Sequence, residues 1–391
     1  MRKPDSLPVH YALTGGLVFD GDNFLPGHAV EIRAERIGEV LREELLGQDI
    51  RKVPVDGAVI APGFVDLQLN GASGVMLLPG NITVQTLDTM HAGNLKSGCT
   101  SFLPTLVSSP DADMEAAMAL VQNYRQERGA ASVLGLHLEG PYISKERRGI
   151  HNEAFVRPLS PAARERLAAF ASHTPLMLTL APECVDEGDI RVLSEAGVVV
   201  SLGHSAASYE QAKRAVRSGA RLATHLFNGM SPWQGREPGL VGAAFDSPDL
   251  ACGMIADGRH VHFASLAMAK RLKGRKCFLV TDGTAASGSD IAQFDFSGET
   301  VYVKDGACVS AQGTLGGSNL TMIEAVRNMI GHVGIAPDET LRMASLYPAA
   351  VMGQERLVGR IATGLYANLA VFSPFAYAMV ATVDRGTLHV W

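Results

Sequence analysis

The chain has 391 residues, 47% of them hydrophobic and 19% charged, with 41 glycines and 19 prolines. That balance excludes a disordered chain, which is apolar-poor and highly charged, and also collagen-like and coiled-coil architectures. A formal net charge of −6 gives no bulk attraction to nucleic acid or an anionic membrane, so an anionic ligand has to be held by local groups.

At ~150 residues per domain the length allows two to three domains, although one α/β barrel absorbs ~250 by itself. Cys99, Cys184, Cys252, Cys277 and Cys308 are odd in number and form no C-x-x-C pair. Reduced thiols in a cytoplasmic protein are therefore expected, not a disulfide framework or a zinc ribbon. The opening segment, Met1 to Pro8, carries charge with no apolar run behind it, so no signal peptide is expected. No stretch approaches the ~20 apolar residues of a membrane span.

In chain order, β-branched segments at 11–20 and 29–37, broken by Gly15-Gly16, Gly21-Asp22 and Pro26-Gly27, predict short strands. The rhythm then changes. Strand-like segments are predicted at 59–69, 100–106, 133–139, 176–181, 198–204, 220–226, 251–256 and 277–282, with helices at 113–127, 161–170, 209–218 and 263–273. Eight strands alternating with helices over roughly 220 residues is the arithmetic of a (β/α)8 barrel. A doubly wound open sheet is disfavoured because no G-x-G-x-x-G opens a helix after the first strand. A hairpin insertion at 300–303 and 307–310 precedes helices at 318–332 and 338–346, and strands at 367–372, 378–383 and 387–391 end the chain. The expected architecture is α/β: a (β/α)8 TIM-like barrel over 59–349, with a small β-sandwich domain assembled from 1–58 and 350–391.

Ionisable residues gather at the C-terminal ends of the predicted strands: His137 and Glu139, His204, His225 with Asn228, and Asp282. In a barrel those ends surround one mouth. Glu139, His204 and His225 form a carboxylate-plus-two-imidazole set of the kind that holds a catalytic divalent metal, and Asp282 is then placed to take a proton from water. A lone histidine on an apolar strand is more often a hydrogen-bonded core residue, and His137 is read that way. A buried, unpartnered glutamate is costly and harder to explain so.

Pro62-Gly63-Phe64-Val65-Asp66 resembles the entry motif of the amidohydrolase superfamily, where His-x-His typically follows; here the positions hold Gln68 and Asn70. Neutral amides are poor zinc ligands, which argues for one tightly held metal, with Gln68 and Asn70 as vestigial second-metal positions. His137-Leu-Glu-Gly-Pro141, Gly149-Ile-His151-Asn152, Leu180-Ala-Pro-Glu183, Gly203-His-Ser205, Thr224-His-Leu-Phe-Asn228, Gly235-Arg-Glu-Pro-Gly239, Ala256-Asp-Gly-Arg-His260, Leu279-Val-Thr-Asp282, Gly313-Thr-Leu-Gly-Gly-Ser318 and Leu346-Tyr-Pro-Ala349 narrow the resemblance. In this order they resemble the N-acetylglucosamine-6-phosphate deacetylase family, from about residue 59 to the C-terminus.

The resemblance implies Glu139, His204 and His225 as ligands of one divalent metal, zinc before iron, and Asp282 as catalytic base and then acid. It places His151 and Ile150 at the substrate. It gives Asn228 and Gly229 side-chain and backbone contacts, with Gly229 standing where the family more often has Ala. Arg236 and His260 would bind the 6-phosphate, Arg236 from a neighbouring subunit of a homodimer, and Leu315, Gly316 and Gly317 would contact the sugar by backbone. The implied reaction is hydrolysis of N-acetylglucosamine 6-phosphate to glucosamine 6-phosphate and acetate, in amino-sugar catabolism and cell-wall sugar recycling. The bland alternatives are a salt bridge between Arg236 and Glu237, and a simple turn at Gly313, Gly316 and Gly317. Nothing in the sequence separates the glucosamine and galactosamine epimers. The phosphate-directed pair argues against N-acyl amino acids, and the intact ligand set against a non-catalytic barrel.

Overall fold

The structure, a computed structural model, describes residues 10–391; the Met1 to Pro8 segment read above for a leader lies outside them. Both ends of the described residues form strands, as their β-branched patterning predicts. One sheet runs Arg36–Arg42, His28–Arg33, His10–Thr14, Arg51–Pro54. A six-stranded sheet runs Thr387–Val390, Met379–Asp384, Leu369–Phe372, Val59–Pro62, Leu17–Phe19, Phe24–Leu25. Tyr11, Leu13 and Ile32 from the first sheet pack with Ile60, Leu369, Val371 and Val383 from the second, so the two share one core.

The segment 59–69, read from sequence as one strand, is two. Val59–Pro62 belongs to the terminal sheet and Phe64–Leu69 to the barrel. The break is at Gly63, whose N–H donates to the Asn368 carbonyl at 2.8 Å, while the Phe64 N–H turns to the Gly98 carbonyl at 2.9 Å. A Cβ at Gly63 would lie 2.1 Å from Thr100 Oγ1, so only glycine permits the crossing.

The barrel strands are β1 (Phe64–Leu69), β2 (Cys99–Val107), β3 (Leu136–Glu139), β4 (Leu176–Leu180), β5 (Val199–Leu202), β6 (Leu222–Ala223), β7 (Ala251–Ile255) and β8 (Cys277–Val280). Each pairs in parallel with the next in chain order. A parallel bridge between Leu69 and Gly283 and a hydrogen bond from the Asp282 N–H to the Gln68 carbonyl (3.0 Å) join the last strand's end to the first. Closure therefore falls where β1 and β8 carry their polar residues. Every residue of β1 is buried, as expected of a parallel strand covered on both faces.

The predicted helices at 161–170, 209–218 and 263–273 form with nearly the same bounds (Pro161–Ala171, Tyr209–Arg217, Phe263–Lys273). Sequence reading missed Val84–Leu95 and Glu187–Glu195. In the latter only Ile190 and Leu193 are buried among acids and a glycine, too thin an apolar stripe to register as a helix. The expected helix over 318–332 is shorter: Met322–Asn328, capped by Thr321 and Glu324, followed by a π-helical turn at Met329–Val333. The insertion has three strands, Gln293–Phe296, Glu299–Lys304 and Ala307–Ser310, not two. Among the described residues no helix is long and apolar enough to cross a membrane.

Phe64 and Phe372 meet where the terminal sheets rest on the barrel, with ring centroids 6.2 Å apart and both side chains buried. Phe64→Ala is expected to cost about 3–5 kcal/mol, because removing a fully buried ring leaves a cavity. The denaturant midpoint reads this directly, and an unchanged midpoint would contradict that packing.

Candidate active site

The strand ends converge as predicted, and they do so in costly backbone conformations. His204, His225 and Asp282 have φ of 48°, 29° and 53°, in the left-handed region that non-glycine residues rarely adopt. The surroundings hold them there. The His204 carbonyl accepts from the Ser144 N–H at 2.8 Å, and the Asp282 carbonyl accepts from the Ser318 N–H at 2.8 Å. Each turn aims its side chain over the barrel mouth instead of along the strand. Gly229, at φ 56°, lies against this cluster: a Cβ there would approach His204 Nδ1 to 3.1 Å.

Glu139 Oε1 lies 3.2 Å from His204 Nε2 and 3.1 Å from His225 Nε2, and the two Nε2 atoms are 3.0 Å apart. His204 Nδ1 lies 2.9 Å from the Arg147 carbonyl, which can only accept. The proton of neutral His204 is thus on Nδ1, and Nε2 presents a lone pair to the carboxylate and to the second imidazole. Burial raises the Glu139 pKa, but the two imidazoles beside it outweigh that and hold the carboxyl well below its usual range. Three buried donor atoms facing one another across about 3 Å suit a cation between them and are ill suited to one another without it. The set fits a divalent metal.

His151 also lies within 4.8 Å of Glu139 and His204, so proximity alone admits it as the third ligand in place of His225. Its hydrogen bonding argues against that role. His151 Nδ1 accepts from the Ser108 N–H (3.3 Å) and lies 2.9 Å from Ser108 Oγ. Burial pushes its pKa down to about 3, so the ring is neutral and its proton is on Nε2. A donor N–H cannot ligate a metal. His225 Nδ1, by contrast, is buried without a partner, and its Nε2 is the atom aimed at Glu139.

Asp282 completes the cluster. Its Oδ1 accepts from Gln68 Nε2 at 3.1 Å and Asn70 Nδ2 at 2.7 Å, and the same Gln68 nitrogen reaches Glu139 Oε1 at 2.9 Å. Both amides are 1% exposed and turn their N–H groups to carboxylates, the opposite of what a metal ligand would do. Burial, and then the charge of Glu139, push the Asp282 pKa up to about 6.

These residues line a cavity of about 350 Å³ with Gly149, Ile150, His151, Asn228, Gly229, His260, Phe296, Gly313, Thr314, Leu315 and Gly317. A larger hollow of about 580 Å³ lies between Pro158 and Ala215 and contains none of the site residues. Residues 59–388 match the Amidohydrolase family and residues 10–60 the NagA composite domain. The chain is 39% identical over 381 residues to the N-acetylglucosamine-6-phosphate deacetylase of Haemophilus influenzae, covering 97% of this chain and 99% of that one. It is 35% identical to the N-acetylgalactosamine-6-phosphate deacetylase of Escherichia coli O157:H7, over 82% of this chain and 86% of the relative. A crystal structure of N-acetylglucosamine-6-phosphate deacetylase from Pasteurella multocida superposes with a TM-score of 0.94 at 41% identity, covering 98% and 100% of the two chains. The chain belongs to the amidohydrolase family.

Within this amidohydrolase two predicted residues stand apart from the cavity. Arg236 is exposed on the 231–238 loop and does not line it. Nor does it depend on Glu237, whose Oε1 is taken by the N–H groups of Tyr209 (2.7 Å) and Gly239 (3.0 Å). Gly316 turns its N–H to the Cys308 carbonyl at 3.0 Å, leaving Leu315 and Gly317 at the cavity wall. His137 sits below the site, between Thr105 Oγ1 (3.1 Å) and Thr179 Oγ1 (2.8 Å), and His262 caps the helix Phe263–Lys273. Sequence reading missed Phe296 and Thr314. Phe296 belongs to the unrecognised strand of the insertion, where alternation of Phe294 and Phe296 with polar residues is the signal that could have found it.

Proposed function

We propose that this chain hydrolyses the acetamide of N-acetylglucosamine 6-phosphate, giving acetate and glucosamine 6-phosphate. The observation that carries the reading is the meeting of Glu139, His204 and His225 beside a buried Asp282 in one sugar-sized cavity. The substrate class rests on the relatives. The barrel, from Phe64 to about residue 349, carries the chemistry, and the β-domain built, among the described residues, from 10–62 and 350–391 supports it. The enzyme works in the cytoplasm as a homodimer with one zinc ion per subunit.

A divalent ion held by Glu139, His204 and His225 supplies Lewis-acid polarisation of the amide carbonyl and brings the pKa of water toward ~7. Asp282, anchored through Oδ1 by Gln68 and Asn70, accepts the proton of the attacking water on Oδ2. The Nε2–H of His151 donates to the carbonyl oxygen as it gains negative charge. Asp282 then returns its proton to the departing nitrogen as the C–N bond breaks. His260, with Arg236 from the partner subunit, takes the phosphate; Ile150, Asn228, Gly229, Leu315, Gly316 and Gly317 position the ring. Gln68 and Asn70 act as donors at the positions where the resemblance implies the His-x-His of a second metal.

Acetate release from N-acetylglucosamine 6-phosphate, its galactosamine epimer and unphosphorylated N-acetylglucosamine tests the substrate. Turnover much faster on the 6-phosphates than on the unphosphorylated sugar supports the reading, and a preference for the galactosamine epimer, which the second relative's name keeps in view, would shift it to that sugar. The base must be ionised to act, so kcat/KM is expected to fall as the pH drops through the Asp282 pKa. A bound cation lowers that value below its metal-free level of about 6, placing the acid limb at or below about pH 6. An acid limb above pH 7 would contradict the assignment.

A further inference from the structure

We infer that Asp257 is a positioning residue that acts through His260, fixing one ring proton away from the cavity so that the other can meet the substrate's phosphate. The inference rests on the deacetylase reading above. Asp257 and His260 lie on the loop after β7, and their side chains are only 9% and 6% exposed. Asp257 Oδ1 accepts from the N–H groups of Arg259 (2.8 Å) and His260 (2.9 Å), forming a turn. Its other oxygen, Oδ2, lies 2.6 Å from His260 Nδ1. Burial raises the Asp257 pKa, but the His260 hydrogen bond, the His260 charge and the backbone donors more than offset it, so the group is a carboxylate.

A carboxylate only accepts, so His260 Nδ1 carries a proton. The ring's remaining nitrogen, Nε2, belongs to a residue that lines the cavity. In the neutral ring that nitrogen would offer a lone pair, which repels a phosphate oxygen. Only a ring with a proton on each nitrogen offers N–H to both sides, and Asp257 Oδ2 is the acceptor on the Nδ1 side. Elimination points the same way. Among the described residues the cavity is lined by four imidazoles and by no lysine or arginine. His204 and His225 face Glu139, and His151 is held neutral with Nδ1 turned to Ser108. His260 is the remaining imidazole, and the one backed by its own carboxylate.

Asp257→Asn keeps the Oδ1 acceptor that the turn needs and removes the charge behind the ring. The test measures, on the metal-loaded enzyme, calorimetric binding of glucosamine 6-phosphate and glucosamine, together with kcat/KM for the phosphorylated and unphosphorylated N-acetyl sugars. The expected result is a loss of about 10-fold or more for the phosphorylated ligands and none for the others, as for a charge-assisted hydrogen bond. In a His260→Gln background the same substitution adds nothing, since the two residues act as one unit. Equal losses on both classes of ligand, or losses that add to those of His260→Gln, would overturn the inference and leave Asp257 a turn residue. Wild-type protein that binds glucosamine 6-phosphate no better than glucosamine would overturn the phosphate role of His260 and, with it, this inference. Wild-type protein that prefers the phosphorylated sugar but releases no acetate would count against the deacetylase reading alone, because the binding comparison still decides the role of Asp257.

Discussion

Asp282→Asn is expected to lower kcat about 10³-fold, the middle of the range for loss of a general base, while metal content and KM change little. The reason lies in how Asp282 is held. Its Oδ1 accepts two amide N–H groups, a role the side-chain oxygen of asparagine can keep, so geometry and packing survive the substitution. What disappears is the basic Oδ2. The same variant also loses the acid, so the step that protonates the departing nitrogen fails together with the step that deprotonates water. Steady-state kinetics beside metal analysis checks this. Asp282→Asn with near-wild-type kcat, or with its metal lost, would remove Asp282 from the role of base.

Glu139→Gln is expected to weaken metal binding by at least about 100-fold, more than the loss of an outer hydrogen-bond partner causes, and to take turnover with it. Glu139 is the one carboxylate among the three proposed ligands, and its Oε1 is the point on which both Nε2 atoms and the Gln68 amide converge. Glutamine offers a neutral amide there, and its NH2 group would meet the Gln68 donor or the imidazoles. The effect also reaches stability. A ligand that binds only the folded state stabilises it by RT ln(1 + [L]/Kd), about 4 kcal/mol at 1,000-fold excess over Kd. Wild-type protein should therefore melt at a lower temperature after chelation, and Glu139→Gln should show little further change on chelation. A variant that keeps stoichiometric metal would contradict the ligand assignment.

Much of this site is legible in the sequence because a barrel turns strand order into spatial order. Once Glu139, His204, His225 and Asp282 are placed at strand ends, the fold brings them together with no further information. What the sequence does not carry is the direction of atoms. His151, read from sequence as a substrate contact, comes within 4.8 Å of Glu139 and His204, and the Ser108 N–H on its Nδ1, with the Nε2 of His225 turned to Glu139, argues for His225 as the ligand. The substitution of His-x-His by Gln68 and Asn70 argues against a second metal, but that these amides grip Asp282 and Glu139 is visible only in three dimensions. The split of 59–69 at Gly63 is likewise invisible to periodicity, since both halves are apolar and buried; the close approach of Thr100 makes the break. Arg236 marks the limit of what one chain shows: the family resemblance implies a phosphate role for it, and its own fold leaves it exposed outside the cavity.

The central claim is one metal at Glu139, His204 and His225 working with Asp282, and stepwise reconstitution tests it most directly. Metal-depleted protein is titrated with zinc while acetate release from N-acetylglucosamine 6-phosphate and bound metal are measured on the same samples. The account predicts activity rising linearly and reaching its plateau at one equivalent per chain. A plateau at two equivalents, or undiminished turnover in protein shown to hold no metal, would contradict it.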